Sequence, residues 1–144
     1  MRTFLGILVG LIAALVVQAC SDIVGNLLYP TGVTDMFNRA QVTEAFANRP
    51  VGALLITVAG YFLAALIGGW LARRISAQGW TVWVPAGLMV LMAIIIVFAY
   101  PLPAWTWFAS LAAPLIGGLI ARHLGPDPVA AAPAAEETPV DADL

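Results

Sequence analysis

The segment ALIGGWLARR, at residues 65–74, occurs a second time as PLIGGLIARH at residues 114–123. Each copy lies at the end of a long apolar run, has Gly-Gly near its centre and ends in Ala-Arg followed by a second basic residue. A segment repeated at a fixed place in two apolar runs indicates that the runs are copies of one element. We interpret this element as a membrane-spanning helical hairpin that has been duplicated.

The composition of the chain is typical of a membrane protein. Of its 144 residues, 62% are hydrophobic and only 10% are charged, and the mean hydropathy is +0.95. These values lie far outside the range of soluble domains. The net charge is −2 and the six basic residues are dispersed arginines, so we predict no nucleic-acid partner. A single cysteine excludes an intrachain disulfide.

Four apolar runs are long enough to cross a hydrocarbon core about 30 Å thick, which needs roughly 20 helical residues. They cover residues 4–28, 51–72, 82–99 and 105–121. We therefore predict an all-α membrane protein, with four transmembrane helices arranged as two parallel-repeat helical hairpins in a domain of residues 1–124. An outer loop would occupy residues 29–50. Residues 125–144 are acidic and rich in Ala and Pro, and predict a disordered cytoplasmic tail.

The positions of the arginines predict the orientation. With an even number of spans, both termini lie on one side of the membrane. Arginines gather on the cytoplasmic side of membrane proteins, and the side of the termini has four of them against two in the outer loop: Arg2, Arg73, Arg74 and Arg122 against Arg39 and Arg49. We expect a multi-pass protein of the bacterial inner (cytoplasmic) membrane, with both termini cytoplasmic and the lipid bilayer as its surroundings.

Small residues recur every fourth position in the second and fourth runs. Helices in lipid associate by close backbone approach, which such rows of small residues allow. We therefore predict that these rows pack against other helices, in the same chain, in further copies or in a larger membrane complex. The alternative is that the two Gly-Gly pairs mark breaks that line a substrate path. The residues are Gly60, Ala64, Gly68, Gly69 and Ala72 in the second run, and Ala109, Ala113, Gly117, Gly118 and Ala121 in the fourth.

One cluster of polar residues interrupts the first apolar run. A carboxylate within such a run is a functional hypothesis by default. Asp22 lies about 9 Å beyond the middle of the run at the usual helical rise, close to the outer boundary. One interpretation is an interfacial carboxylate held by Ser21, Asn26 or an arginine of the outer loop, and the other is a proton-linked or cation-linked role. The members of this candidate polar site, spaced along one side of a helix, are Gln18, Ser21, Asp22, Asn26 and Tyr29.

Two local segments have alternative interpretations. Residues 17–20, VQAC, resemble the end of a bacterial lipoprotein signal peptide, in which Cys20 would be lipidated after cleavage. Against this, the apolar run continues past Cys20 and cleavage would destroy the first hairpin. Residues 34–48 predict either a short helix on the membrane surface, with Asp35 as its N-cap, or a solvated connector.

The chain has none of the motifs that would predict an enzyme. It lacks a Gly-rich phosphate loop, a Ser/His/Asp set and a His-Glu-x-x-His sequence. His123 is the only histidine and has no second ligand at metal spacing. We predict no catalytic residues, no cofactor and no metal.

Several segments together resemble a family of small bacterial four-helix integral membrane proteins to which no activity is assigned. The resemblance covers residues 4–123 and rests on LLYP at residues 27–30, RPVGALL at residues 49–55, LIGGWLARR and the Pro-containing turn before Trp105. It implies a four-helix fold and a membrane location. In that family an acidic residue and often a His precede the Tyr-Pro, positions that Asp22 and Asn26 hold here. The Asn argues against a metal or proton-relay role.

Two classes of function follow. The first is a non-enzymatic membrane subunit, structural or accessory, that packs through its small-residue helix faces. The second is a small transporter or channel component that uses Asp22, in the size range of four-helix exporters that dimerise around a first-helix carboxylate. We favour the first, because Asp22 lies away from the midplane and the later spans contain no charged residue.

Overall fold

A computed structural model describes residues 1–33 and 37–124. Within these ranges it contains helices and no strands. The helices are α1 (Arg2–Leu28), α2 (Arg39–Ala47), α3 (Val51–Ser76), α4 (Trp83–Ala99) and α5 (Ala104–Leu124), and a 3₁₀ turn at Gly79–Val82 leads into α4. The prediction of an all-helical fold is confirmed. The prediction of four helices with the length and hydropathy of membrane spans is also confirmed: Arg2–Leu28, Val51–Ser76, Gly79–Ala99 and Ala104–Leu124.

The helices end where the sequence supplies residues that stop them. α1 ends just before Tyr29-Pro30 and α4 just before Tyr100-Pro101, because proline cannot continue the hydrogen-bonded turn and disfavours helical backbone in the residue before it. α3 ends at Ser76 and is followed by the C-cap residue Ala77, whose φ of 56° is left-handed. Both Gly-Gly pairs lie inside unbroken helices. They are therefore not helix breaks in this structure.

α3 lies at the centre of the bundle. It packs along α1 on one side and α5 on the other, and α4 packs against both α5 and α3. Gly6 of α1 contacts Ser76 near the end of α3, whereas Gly25 lies beside Ile56 near its start, so the two helices are antiparallel. α3 and α5 run parallel, with Gly69 next to Ala121. α4 and α5, which a short connection joins, are antiparallel neighbours, since Phe98 contacts Trp107 and Ala86 lies beside Gly118.

The contact between α1 and α3 depends on small residues from both helices. A Cβ atom on Gly10 would stand 2.6 Å from the Gly68 carbonyl oxygen, and one on Gly68 would stand 2.6 Å from the Gly10 carbonyl oxygen. The backbones therefore touch directly, as small residues permit. Sequence analysis identified the α3 side of this contact and missed the α1 side, where the same four-residue spacing occurs in Gly6, Gly10 and Ala14.

The buried face of α5 differs from the predicted row. Ala109 and Ala113 are only half-buried. The buried residues include a four-residue row that is offset by one position from the predicted row, so Ala109 and Ala113 lie at its edge: Thr106, Ser110, Pro114 and Gly118. The buried residues of α5 are Thr106, Ser110, Pro114, Gly117, Gly118 and Ala121.

The two copies of the decapeptide use their glycines differently. In the first copy, Gly68 meets α1, the other helix of its own hairpin. In the second, Gly117 meets α3 at Phe62, and it is Gly118 that contacts α4 at Ala86. The sequence repeat is therefore not reproduced as a repeat of contacts.

Two sequence predictions fall wholly or partly outside the described residues. The predicted tail at residues 125–144 lies outside them, as does Asp35. The outer loop does contain a short helix, α2, whose N-cap is Asn38: its side-chain oxygen accepts hydrogen bonds from the backbone N–H groups of Ala40 and Gln41. Asn is a strong N-cap residue, and it directly precedes the helix, which Asp35 does not.

Candidate functional site

Asp22 is held by Gln18, one turn earlier on α1. The Gln18 Nε2 donates to Asp22 Oδ1 at 3.1 Å. Asn26 has a different partner, since its Oδ1 accepts from the Thr31 hydroxyl at 3.3 Å. Among the described residues, the donor to the Asp22 carboxylate is thus its i, i+4 neighbour. Of the partners expected from the sequence, an arginine of the outer loop interacts with the carboxylate electrostatically, and it is Arg49.

Gln18 and Ser21 belong to the contact between α1 and α3. A Cβ atom on Gly60 would lie 2.7 Å from Ser21 Cβ and 3.0 Å from Gln18 Oε1. Gln18 Oε1 is buried without a hydrogen-bond donor among the described residues. These two residues of the predicted polar site thus serve helix packing, and Gln18 also positions Asp22.

A cavity of about 370 Å³ opens beside Asp22, between α1, α2, α3 and α4. This volume lies within the range of small-molecule pockets. Two members of the predicted polar site line it, Asp22 and Asn26, and Arg49 lies beside them just before α3. The remaining lining residues are Ile23, Thr31, Val33, Val42, Ala45, Phe46, Thr57 and Ile96.

Arg49 is the arginine of the outer loop that lies at this site; sequence analysis expected an arginine as one possible partner of Asp22 but did not choose between Arg39 and Arg49. Its Nη2 is 3.8 Å from the position of a Cβ on Gly25, so the guanidinium lies against α1 at the level of Gly25. The guanidinium carbon is 5.2 Å from the centre of the Phe46 ring, within cation–π range. Arg49 Nε is buried without an acceptor among the described residues. Arg49 and Asp22 interact electrostatically.

Aromatic stacking joins the short helix α2 to the end of α4. The rings of Phe46 and Tyr100, which directly follows α4, are 4.1 Å apart with an angle of 12° between their planes. Phe46 therefore has Tyr100 on its ring and Arg49 nearby, and the wall of the cavity is built by tertiary contacts. Such offset stacking contributes beyond the buried area alone.

Tyr29 lies apart from Asp22. Its hydroxyl contacts Gly52 at the start of α3, where a side chain would collide with it. It lines an adjoining cavity of about 650 Å³, together with Glu44. The two cavities share Thr31, Val33, Ala45 and Arg49.

Tyr61 is a residue that sequence analysis missed. It is only 2% exposed in the core of the bundle, and it interacts electrostatically with both Asp22 and Arg49. A tyrosine inside an apolar run looks like an ordinary core residue, and only the approach of α1 to α3 brings it near the charged pair. Cys20 and His123 are exposed, the former inside the unbroken α1.

The fold and this site define an all-helical protein with four helices of membrane-span length and a charged cavity at the end where α1 and α4 finish. Comparisons of the chain with protein-family models, curated protein sequences and solved structures gave no match.

Proposed function

We propose that the chain is a non-enzymatic integral membrane protein of the bacterial cytoplasmic membrane, with four spans, both termini cytoplasmic and a structural or accessory role. The observation that carries this proposal is the combination of four span-length apolar helices with direct backbone contact at Gly10, Gly68 and Gly117. Close glycine contacts are the means by which helices associate in lipid, where burial of apolar side chains provides little force.

The outward faces of the helices support membrane insertion. Large apolar side chains cover them, and on α1 they include Phe4, Ile12, Val16 and Leu27, which are more than half exposed in the single chain. Contiguous exposed apolar surface of this kind needs a lipid or protein covering. The basic residues at the ends of α3 and α5 support the proposed orientation.

The proposed partner contacts use these outward faces. The small-residue rows of α3 contact α1 and α5 within one chain, so they are already covered. α1 packs chiefly against α3 and presents most of its apolar surface to the outside. We propose that another copy, or a larger membrane subunit, packs there. The duplication proposed from the sequence then explains the common sequence pattern of the two hairpins, whose contacts have since diverged.

A second candidate function, a small transporter or channel component, is favoured by the cavity at Asp22. The carboxylate lines a space that could admit a solute. It lies about 10 Å from the middle of α1 along the helix, however, and closer to the outer end than a carrier site at the bilayer midplane. A lipoprotein is not proposed, since cleavage before Cys20 would remove Gly6, Gly10 and Ala14 from the contact with α3.

One preparation of the full chain in mild detergent separates the two functions. We expect light scattering to give a mass larger than one chain, or a stoichiometric membrane protein to co-purify. In proteoliposomes, we expect Asp22→Asn and the control Glu44→Gln to leave proton and cation flux equal to that of the unmodified protein. A monomer without a partner would contradict the subunit role. Loss of flux in Asp22→Asn alone would establish the transporter role instead.

A further inference from the structure

We propose that the cavity beside Asp22 and Arg49 binds a small zwitterion from solution: an ammonium group, an oxyanion and an apolar substituent, as in an amino acid with a branched or aromatic side chain. This inference rests on the cavity and applies equally to an accessory subunit and to a transporter component.

The charges of the cavity determine the two poles of the ligand. Asp22 and Arg49 are the charged residues that line it. Gln18 occupies Asp22 Oδ1, and the second carboxylate oxygen accepts no hydrogen bond from the described residues, so it can receive an ammonium. The Arg49 guanidinium lines the same cavity and can pair with an oxyanion there. Hydrogen bonds between charged groups are the strongest available to such a ligand.

The uncharged residues that line the cavity determine the apolar substituent of the ligand. Apolar side chains dominate it: Ile23, Val33, Val42, Phe46 and Ile96. The hydroxyl groups of Thr31 and Thr57 and the amide of Asn26 add a few polar contacts. A mostly apolar wall with a small number of convergent polar groups is the usual form of a small-molecule site. The volume of about 370 Å³ suits a compact solute.

The order of the two charges along α1 favours a soluble ligand over a lipid. The Arg49 guanidinium lies at the level of Gly25, which is about 4.5 Å nearer the outer end of the helix than Asp22. The ammonium site is therefore deeper than the oxyanion site. An ethanolamine phospholipid has the reverse order, because its phosphate is attached nearer to its acyl chains than its ammonium is.

The first test uses the unmodified full chain in detergent and isothermal titration calorimetry. L-leucine and L-phenylalanine are the probes. Leucinamide lacks the oxyanion, 4-methylpentanoate lacks the ammonium and glycine lacks the apolar substituent. We expect leucine to bind at least about tenfold more tightly than each of these three, since each lacks one of the paired groups. Absence of binding by both probes, or equal binding of either single-pole analogue, would overturn the proposal.

Two variants test which residue binds the ammonium group of the ligand and which binds its oxyanion. Asp22→Asn should abolish the preference for leucine over 4-methylpentanoate, and Arg49→Gln should abolish the preference over leucinamide. The control variants Glu44→Gln and Arg39→Gln, whose residues do not line this cavity, should keep both preferences. Retention of both preferences in the first two variants would overturn the proposal. If either variant fails to fold by circular dichroism, the analogue series on the unmodified chain decides alone.

A binding experiment in lipid tests whether a phospholipid headgroup, which also combines an ammonium with an oxyanion, occupies the cavity instead. The chain in nanodiscs of phosphatidylglycerol should bind leucine as it does in detergent, and addition of phosphatidylethanolamine should not reduce that binding. Displacement of leucine by phosphatidylethanolamine would overturn the proposal of a soluble ligand. Because these are binding measurements, their failure is distinct from failure of the mass and flux experiments on the proposed function.

Discussion

Replacing Gly10 by Ala is expected to destabilise the folded protein by about 2 kcal/mol, because the added methyl group has no space. Its position is 2.6 Å from the carbonyl oxygen of Gly68 and 2.7 Å from the Cβ of Ala72. The first of these is backbone, so α1 and α3 must separate to admit it. Separation of the two helices weakens every contact between α1 and α3, including that of Ser21 with Gly60.

Gly87→Ala is the matched control for this variant. Gly87 also lies inside a helix, α4, and a Cβ atom there meets no heavy atom within 4 Å. Alanine has a better helix propensity than glycine by about 1 kcal/mol, so this variant should be as stable as the parent or more stable. Thermal unfolding in detergent, followed by tryptophan fluorescence, compares the two. A Gly10→Ala protein that melts with the parent would contradict the direct contact of α1 and α3.

The second Gly-Gly pair gives an equally sharp comparison between adjacent residues. A Cβ on Gly117 would stand 2.5 Å from the Phe62 carbonyl oxygen, whereas one on Gly118 would stand 3.0 Å from the Ala86 methyl group. We expect Gly117→Ala to cost about 2 to 3 kcal/mol, since the backbone of α3 must move, and Gly118→Ala less than about 1 kcal/mol.

The same thermal unfolding measurement checks this pair. Both substitutions add one methyl group to the same helix, so differences in helix propensity cancel. Equal melting temperatures, or a Gly118→Ala protein less stable than Gly117→Ala, would contradict the assignment of Gly117 to the α3 contact. Such a result would favour the arrangement expected from the repeat, in which Gly68 contacts α1 and Gly117 correspondingly contacts α4.

The helices of this protein were largely predictable from its sequence, because length and hydropathy are properties of local segments. Tyr-Pro pairs marked two helix ends, and the four-residue spacing in α3 identified the face that contacts α1. The same rule failed for α5. The buried four-residue row of α5 contains two hydroxyl residues and a proline, so a search for small apolar residues selected the neighbouring row instead, and Ala109 and Ala113 lie at the edge: the buried row is Thr106, Ser110, Pro114 and Gly118.

The candidate site was only partly predictable, because its parts come from distant segments. Asp22 and Asn26 were identified by their unusual place in an apolar run. An arginine of the outer loop was one expected partner of Asp22, but nothing in the sequence shows that it is Arg49, whose guanidinium lies against Gly25 and near Phe46. Side-chain packing across α1, α2 and α3 decides which polar residues face the cavity, and that information is absent from the spacing within any one helix.

The proposed topology is tested most directly by the side of the membrane on which two loops lie. In a Cys20→Ser background, single cysteines replace Gln41 on α2 and Gln78 after α3, both exposed positions. A membrane-impermeant maleimide should label Gln41→Cys in intact cells and label Gln78→Cys only after the membrane is permeabilised. Labelling of both positions in intact cells, or of Gln78→Cys alone, would contradict four spans with cytoplasmic termini.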